Sequence, residues 1–427
     1  MQKFRISRKV LLLSLLPALL CHTACSASPQ PSSSPASSAA VAGAPDEAAS
    51  SEYRFLSSPI AQTDSGFYDL VYTKDVVSGA QNIVYTDFSA RHRGYLSDGD
   101  PQSETDASYI PVAFSGSQVL TDGDFLYVLC TGSLILQDSE GAAAQPRIYR
   151  MDLNGGHRTT VELPLGQQIN RSSGVFSDGN SIVLMMDAEG ADKAVHSELV
   201  RVDFSAKSIT TLMDFSASDL DSANLFLVSA FGNHFVLSST KFIGDGKVQN
   251  SAYVFDSAQG TLAPIAELAE DDNEVFYQHG NIYTIKTSQN ALYQFHPADG
   301  QSELLIPELA PSGSESSMQI SYSAPYPYLA FSSGDSEDSA TYYWNCNTHE
   351  WKTSSLFDRY APVHIQGIWQ DYFLVNLQDK TVSYEDSLEG QSFTNQMTVS
   401  QYALISQEDY WNSTPNYIFF TDAVYGD

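Results

Sequence analysis

Positive charge is scarce in this chain. Lysine and arginine total 21 against 51 aspartates and glutamates, a net charge of −30. Four of those cations (Lys3, Arg5, Arg8, Lys9) stand in an acid-free leader, so removing it takes the charge from −30 to −34. A phosphate backbone is held by basic patches, and nucleic acid is therefore not an expected partner. Cysteine is scarce too: Cys21, Cys25, Cys130 and Cys346 are the four, and none forms CxxC. Cys346 and His349 have metal-like spacing, but a site needs three or four ligands, so no metal is expected. Cys130 ends the apolar run FLYVLC and reads as a small buried hydrophobe. A Cys130–Cys346 disulfide stays open at this level. HExxH, GxSxG, a phosphate-binding glycine loop, a dinucleotide fingerprint and an EF-hand are all missing, and no cofactor is expected. Asp98, Asp100 and Asp106 cluster without the glycine and terminal glutamate of a calcium loop. Catalysis itself stays open, because a carboxylate pair assembled from distant segments leaves no local motif.

After the leader's basic start, one apolar run stands out, Val10–Leu20, the length of a signal core and too short to span a bilayer. Small residues follow, ending in Thr23-Ala24-Cys25. This resembles a bacterial lipoprotein signal, which implies cleavage before Cys25, its lipidation, and membrane attachment through that lipid alone. An ordinary secretory signal cut near Ala24 or Ala27 is the alternative, and both imply export. Residues 25–52 are rich in serine, alanine and proline. They hold too little apolar surface to offset chain entropy, and are expected to form a disordered tether.

From Tyr53 onward the pattern is one of short β-runs and turns. Residues 273–306 show it best: EVFYQ, IYTIK, ALYQF and SELLI, separated by His279-Gly280-Asn281, Thr287–Asn290 and Ala298-Asp299-Gly300. Aromatic and β-branched runs of about five residues between Gly/Asn/Asp turns signify an antiparallel meander. The same unit recurs with its second strand at Phe67–Tyr72, Phe125–Cys130, Ile182–Met186, Phe235–Ser238, Ile282–Ile285, Tyr328–Phe331 and Tyr372–Leu377. Four strands per repeat of the order of 50 residues is the arithmetic of a β-propeller blade. The chain is thus expected to be all-β: a propeller over 53–427 with four-stranded antiparallel blades, seven by this register, six or eight if one unit is misread. Asn416–Phe420 is the expected closing strand, and Tyr53–Phe55 an expected start for the first blade.

Ile148-Tyr149-Arg150-Met151-Asp152-Leu153-Asn154-Gly155-Gly156, approached from Asp122-Gly123-Asp124, resembles the repeat of bacterial envelope propellers, among them the Tol-system propeller and its lipoprotein relatives. The resemblance implies a fold and an address. It implies no site, since such propellers include scaffolds, binding proteins and enzymes.

First–second turns are short, whereas several second–third connections are long: Thr131–Pro146, Asp187–Ser197, Thr240–Asn250 and Gln378–Ser400. Long connections tend to carry function, so the face bearing them is the expected binding face. It is rich in acids, Asp386 among them, which suits a cation or a basic protein patch, although an acidic surface alone also explains them. Tyr410-Trp411-Asn412 lies in a polar stretch and is expected to be exposed, which makes Tyr410, Trp411 and Asp386 the candidate ligand-binding residues. Trp344, Trp351 and Trp369 are expected to pack between blades. The sequence thus points to a monomeric, exported, lipid-anchored envelope propeller that binds a protein or glycan without catalysis. A carbohydrate-active enzyme and a structural scaffold are the alternatives.

Overall fold

The computed structural model describes residues 53–425, apart from 57–59, 73–79, 114–115, 135–144, 191–193, 217, 219, 221–223, 245–246, 270–272, 279, 310–317, 321–323, 334–340, 359–360 and 389–390. The expected signal sequence, Cys25 and the expected tether lie outside these residues.

Strand β1 (Arg54–Phe55) comes first and belongs to no blade of its own. Blade 1 is β2 (Ala61–Gln62), β3 (Gly66–Tyr72), β4 (Gln81–Asp87) and β5 (His92–Tyr95), with β6 (Tyr109–Ile110) prolonging the β5 edge. Blade 2 is β7 (Ser117–Thr121), β8 (Phe125–Cys130), β9 (Arg147–Asp152) and β10 (Thr159–Glu162). Next, β11 (Gln167–Ile169) precedes blade 3: β12 (Phe176–Ser177), β13 (Ser181–Glu189), β14 (Val195–Asp203) and β15 (Ser208–Asp214). Blade 4 is β16 (Asn224–Phe231), β17 (His234–Gly244), β18 (Lys247–Asp256) and β19 (Thr261–Pro264). Blade 5 is β20 (Asn273–Gln278), β21 (Asn281–Lys286), β22 (Ala291–His296) and β23 (Gln301–Ile306). Blade 6 is β24 (Met318–Ile320), β25 (Tyr328–Ser333), β26 (Thr341–Asn345) and β27 (Glu350–Ser354). Blade 7 is β28 (Ile365–Trp369), β29 (Tyr372–Leu388), β30 (Gln391–Ser406) and β31 (Ile418–Phe419), and β32 (Thr421–Asp422) follows. The fold is a seven-bladed β-propeller.

The near-continuous apolar strands follow from this architecture. Side chains alternate between the faces of a strand, and here each face meets a neighbouring blade. Along β13, Ile182, Leu184 and Met186 enter the core shared with blade 2. Val183 and Met185 enter the core shared with blade 4. Such apolar layers fill all seven boundaries between neighbouring blades. First strands of adjacent blades touch, as β2 does β7, so they are innermost. Fourth strands such as β15 and β23 are largely exposed and form the rim.

Turn chemistry sets the register. In the first–second turns Asp122 Oδ1 accepts from the N–H groups of Asp124 and Phe125, and Asp178 Oδ1 accepts from those of Asn180 and Ser181. Gly123 and Gly179 take φ of 94° and 86° there, the left-handed region that glycine enters without steric cost. Asp87, Asp203, Asp256 and Asn345 cap the third–fourth turns in the same way.

Closure differs from the sequence expectation at both ends. Ile418–Phe419 is blade 7's own outer strand, antiparallel to Ala403–Leu404. The chain then crosses to blade 1, where β32 runs parallel to β5, Thr421 opposite His92 and Asp422 opposite Arg93. Phe420 and Val424 are buried against blade 1 as they pass. Residues 54–55 do not start blade 1 but pair with the inner edge of blade 3, Arg54 opposite Ser177 and Phe55 opposite Phe176. The reason is a split first strand. Both β11 and β12 pair with β13, and residues between them leave the sheet to meet blade 4, Gly174 N–H donating to the Leu227 carbonyl.

Candidate functional site

Three regions carry chemistry beyond the blades: the lengthened hairpins on one face, the axis, and the seam between blades 7 and 1.

Three of the four connections expected as loops are extensions of their blades. Asp187 pairs with Ser197 at the outer part of β13–β14, and Thr240 with Asn250 in β17–β18. In blade 7 the ladder continues from Lys380–Val399 to Leu388–Gln391, so residues 380–388 and 391–399 form a two-stranded ribbon. The fourth connection, 131–146, falls largely outside the described residues. The extended hairpins of blades 3, 4 and 7 lie on one face, opposite to that of the Asp-capped turns. On it, Ser197 Oγ donates to Asp187 Oδ1 at 2.9 Å, and burial pushes the Asp187 carboxyl above its usual range. Asp386 stands on the ribbon opposite Phe393, and its side chain lies outside the described residues.

Tyr410 and Trp411 are not an exposed pair. Ser406 caps a short helix, α1 (Gln407–Trp411), its Oγ accepting from Asp409 N–H and donating to Asp409 Oδ2. The helical turn drives Tyr410 between blades 6 and 7, where it is fully buried. Its hydroxyl donates to the Val363 carbonyl at 2.8 Å and meets Tyr343 Oη at 2.5 Å. Trp411 is half-buried against Tyr328, Tyr343 and Phe373. Trp344, Trp351 and Trp369 pack in the layers between blades, as the sequence suggests.

At the axis lies the segment 53–56, which sequence reasoning missed. Its four residues reach four blades. Arg54 donates to the Asp122 carbonyl and faces Asp124 in blade 2, both at 3.3 Å. Tyr53 Oη accepts from Arg201 at 2.5 Å in blade 3, and its ring meets Phe235 of blade 4 edge-on. The Phe55 ring packs on Phe176 at 5.0 Å, beside Gly280 of blade 5. Leu56 N–H donates to the Val175 carbonyl. A Cβ on Gly174 would stand 2.8 Å from the Phe55 ring and 2.6 Å from the Leu227 oxygen, so only glycine admits this approach. The segment therefore lines the inside of the ring along blades 2 to 5 near the Asp-capped turns, with the Arg54 side chain exposed.

The seam holds a buried ion cluster. Arg93 donates to Asp69 Oδ2 at 2.7 Å and lies 3.5 Å from Asp422, with a side chain only 6% exposed. Lys380, from the base of the ribbon, reaches the same Asp422 oxygen at 3.5 Å. Burial raises the Asp69 carboxyl, with Arg93 opposing. Burial lowers Arg93, but the two carboxylates more than compensate and keep it charged. Tyr425 adds a ring beside the guanidinium.

Among the described residues, no group of three His, Cys, Asp or Glu side chains is placed to hold a metal ion. Asp106 is occupied by hydrogen bonds from Ser97 and Ser108. Cys130 and Cys346 are free thiols in blades 2 and 6, so the disulfide left open by the sequence is not formed. Burial pushes the Cys346 thiol up to about 12, which keeps it an unreactive thiol.

No protein-family model matches the sequence and no curated protein matches it. Several solved structures are similar. The β-propeller domain of the Trilobed protease from Pyrococcus furiosus is 11% identical, covering 88% of this chain and 99% of that one, with a TM-score of 0.47. TolB from Acinetobacter baumannii is 11% identical over 84% of this chain and 77% of that one, with a TM-score of 0.35. The Pyrococcus horikoshii acylaminoacyl peptidase is 10% identical over 84% of this chain, which spans 52% of it, with a TM-score of 0.44. The likeness is one of propeller architecture.

Proposed function

We propose that this chain is an exported, lipid-anchored propeller of the cell envelope that binds a protein or glycan on its hairpin face without catalysing a reaction. The observation that carries the reading is the asymmetry of the two faces. One ends mostly in short turns, with α1 inserted between β30 and β31. The other extends hairpins from blades 3, 4 and 7, and the ribbon of blade 7 far outreaches what the ring needs. The acidic surface suits a basic protein patch better than a phosphate-bearing partner.

The ribbon is the element to remove. Lys380 faces Val399 across the ladder, so a two-residue turn joining them deletes 381–398 at its natural register and keeps Lys380 on Asp422. The intact and shortened chains would be immobilised and exposed to solubilised envelope protein and to a glycan array. A ligand retained by the intact chain and lost by the shortened one, with both melting alike, is the expected result. Equal retention would overturn the assignment of this face. Turnover of any arrayed glycan would favour the carbohydrate-active alternative.

A further inference from the structure

The path of the N-terminal segment has a consequence for how the molecule is held. Tyr53 lies beside Arg201 and Phe235, and Arg54 beside the Asp122–Asp124 turn. Arg201 is near the end of β14, Phe235 near the start of β17, and both places adjoin the Asp-capped turns. Since β1 runs antiparallel to β12, which leads into the Asp178 turn, the chain travels from the turn face inward. We infer that the capped-turn face is the membrane side of this protein and that the hairpin face is presented away from the anchoring leaflet. This rests on the lipid-anchor reading above.

The geometry makes the preference physical. A segment with the composition and length of residues 25–52 has an expected reach of about 30 Å. Reversing the ring would require it to pass around the rim and back across the thickness of the blades, about 20 Å for a seven-residue strand. The turn face is itself acidic, with Asp87, Asp124, Asp152, Asp203, Asp256 and Asp299 at its turns. Such a face is repelled by anionic headgroups within about a Debye length, some 8–10 Å. It therefore hovers over the leaflet and does not adhere to it. The hairpins face outward and suit a partner beyond the leaflet, not a lipid or a neighbour lying in it.

The test uses the full chain purified from the membranes of an expressing bacterium and reconstituted in anionic vesicles carrying an acceptor-labelled lipid. Donor dyes are placed at Asn180→Cys on the turn face and at Ser383→Cys on the ribbon, both exposed positions. The native thiols, Cys130 buried and Cys346 partly buried, set the background, measured on the chain without an added cysteine. Vesicle flotation, with Cys25→Ala as the unanchored control, comes first. If the unsubstituted chain does not float, or floats equally well with Cys25→Ala, the anchoring reading fails and the inference falls with it. If it floats through Cys25, energy transfer at least twofold higher from Asn180→Cys than from Ser383→Cys is expected. Equal or reversed transfer overturns the orientation alone and leaves the anchor standing.

Discussion

Two residues beside the boundary between blades 6 and 7 show how single side chains hold the ring. Tyr410 joins those blades through apolar contact and through its hydrogen bond to Val363. Replacing it by phenylalanine keeps the ring in place but strands a buried carbonyl, at a cost of about 1–2 kcal/mol. Alanine also opens a cavity and should cost about 3–5 kcal/mol. Urea midpoints of the two variants should fall in that order, and a neutral Tyr410→Ala would contradict the wedge. His364 stands next to Val363. Burial depresses its pKa to about 4, with Asp358 opposing. Below its usual value near 6.5 the unfolded chain takes up the proton first, so stability is full above that pH and is lost as pH falls toward 4. Between pH 7.5 and 4.5 this residue should remove about 2–3 kcal/mol. A His364→Asn chain should lack that portion of the slope in denaturation measured at the two pH values.

Among the elements, β32 depends most on charge. It is two residues long, and its tie to β5 is reinforced by Arg93 between Asp69 and Asp422. Arg93→Met leaves two carboxylates facing each other with only Lys380 nearby, and should destabilise by about 3–5 kcal/mol. The triple variant Asp69→Asn, Arg93→Met, Asp422→Asn should recover much of that loss in thermal melts, because removing the whole cluster also removes its desolvation cost. If the triple variant is no better than Arg93→Met, the charges are not what holds the strand. None of this was legible in the sequence, because the cluster joins residues from both ends of the chain. The blades were legible, since their strands and turns are local and repeat. The ribbon fell between these cases. Thr381-Val382-Ser383 and Met397-Thr398-Val399 around the Glu389-Gly390 step carry a hairpin's alternation, yet their polarity reads as loop. Tyr410 was misread for a related reason. Ser406 and Asp409 spell a helix cap, but the polar residues around them suggested a surface turn.

At the scale of the molecule, a seven-bladed ring has seven boundaries and the chain crosses six of them covalently. The seventh, between blades 7 and 1, is held by packing, by Gln62 Nε2 donating to the Ile368 carbonyl at 2.6 Å, and by the passage of residues 420–425 across it. The N-terminal segment ties blades 2 to 5 from inside, away from that seam. The two chain ends therefore secure different parts of the ring, and the seam has a single strap. Its apolar contribution comes from Phe420 and Val424, both buried, and its polar contribution from the Thr421 and Ala423 N–H groups on the Arg91 and Arg93 carbonyls. Local opening follows the least-secured unit of a structure, so fraying should start at blades 7 and 1. A chain ending at Phe420 should melt earlier than the intact one. In native-state hydrogen exchange its β3, β4, β29 and β30 amides should lose protection while those of β13, β14, β17 and β18 keep theirs. Uniform loss of protection across all seven blades would mean that the ring opens only as a whole and that the seam is no weaker than its covalently linked neighbours.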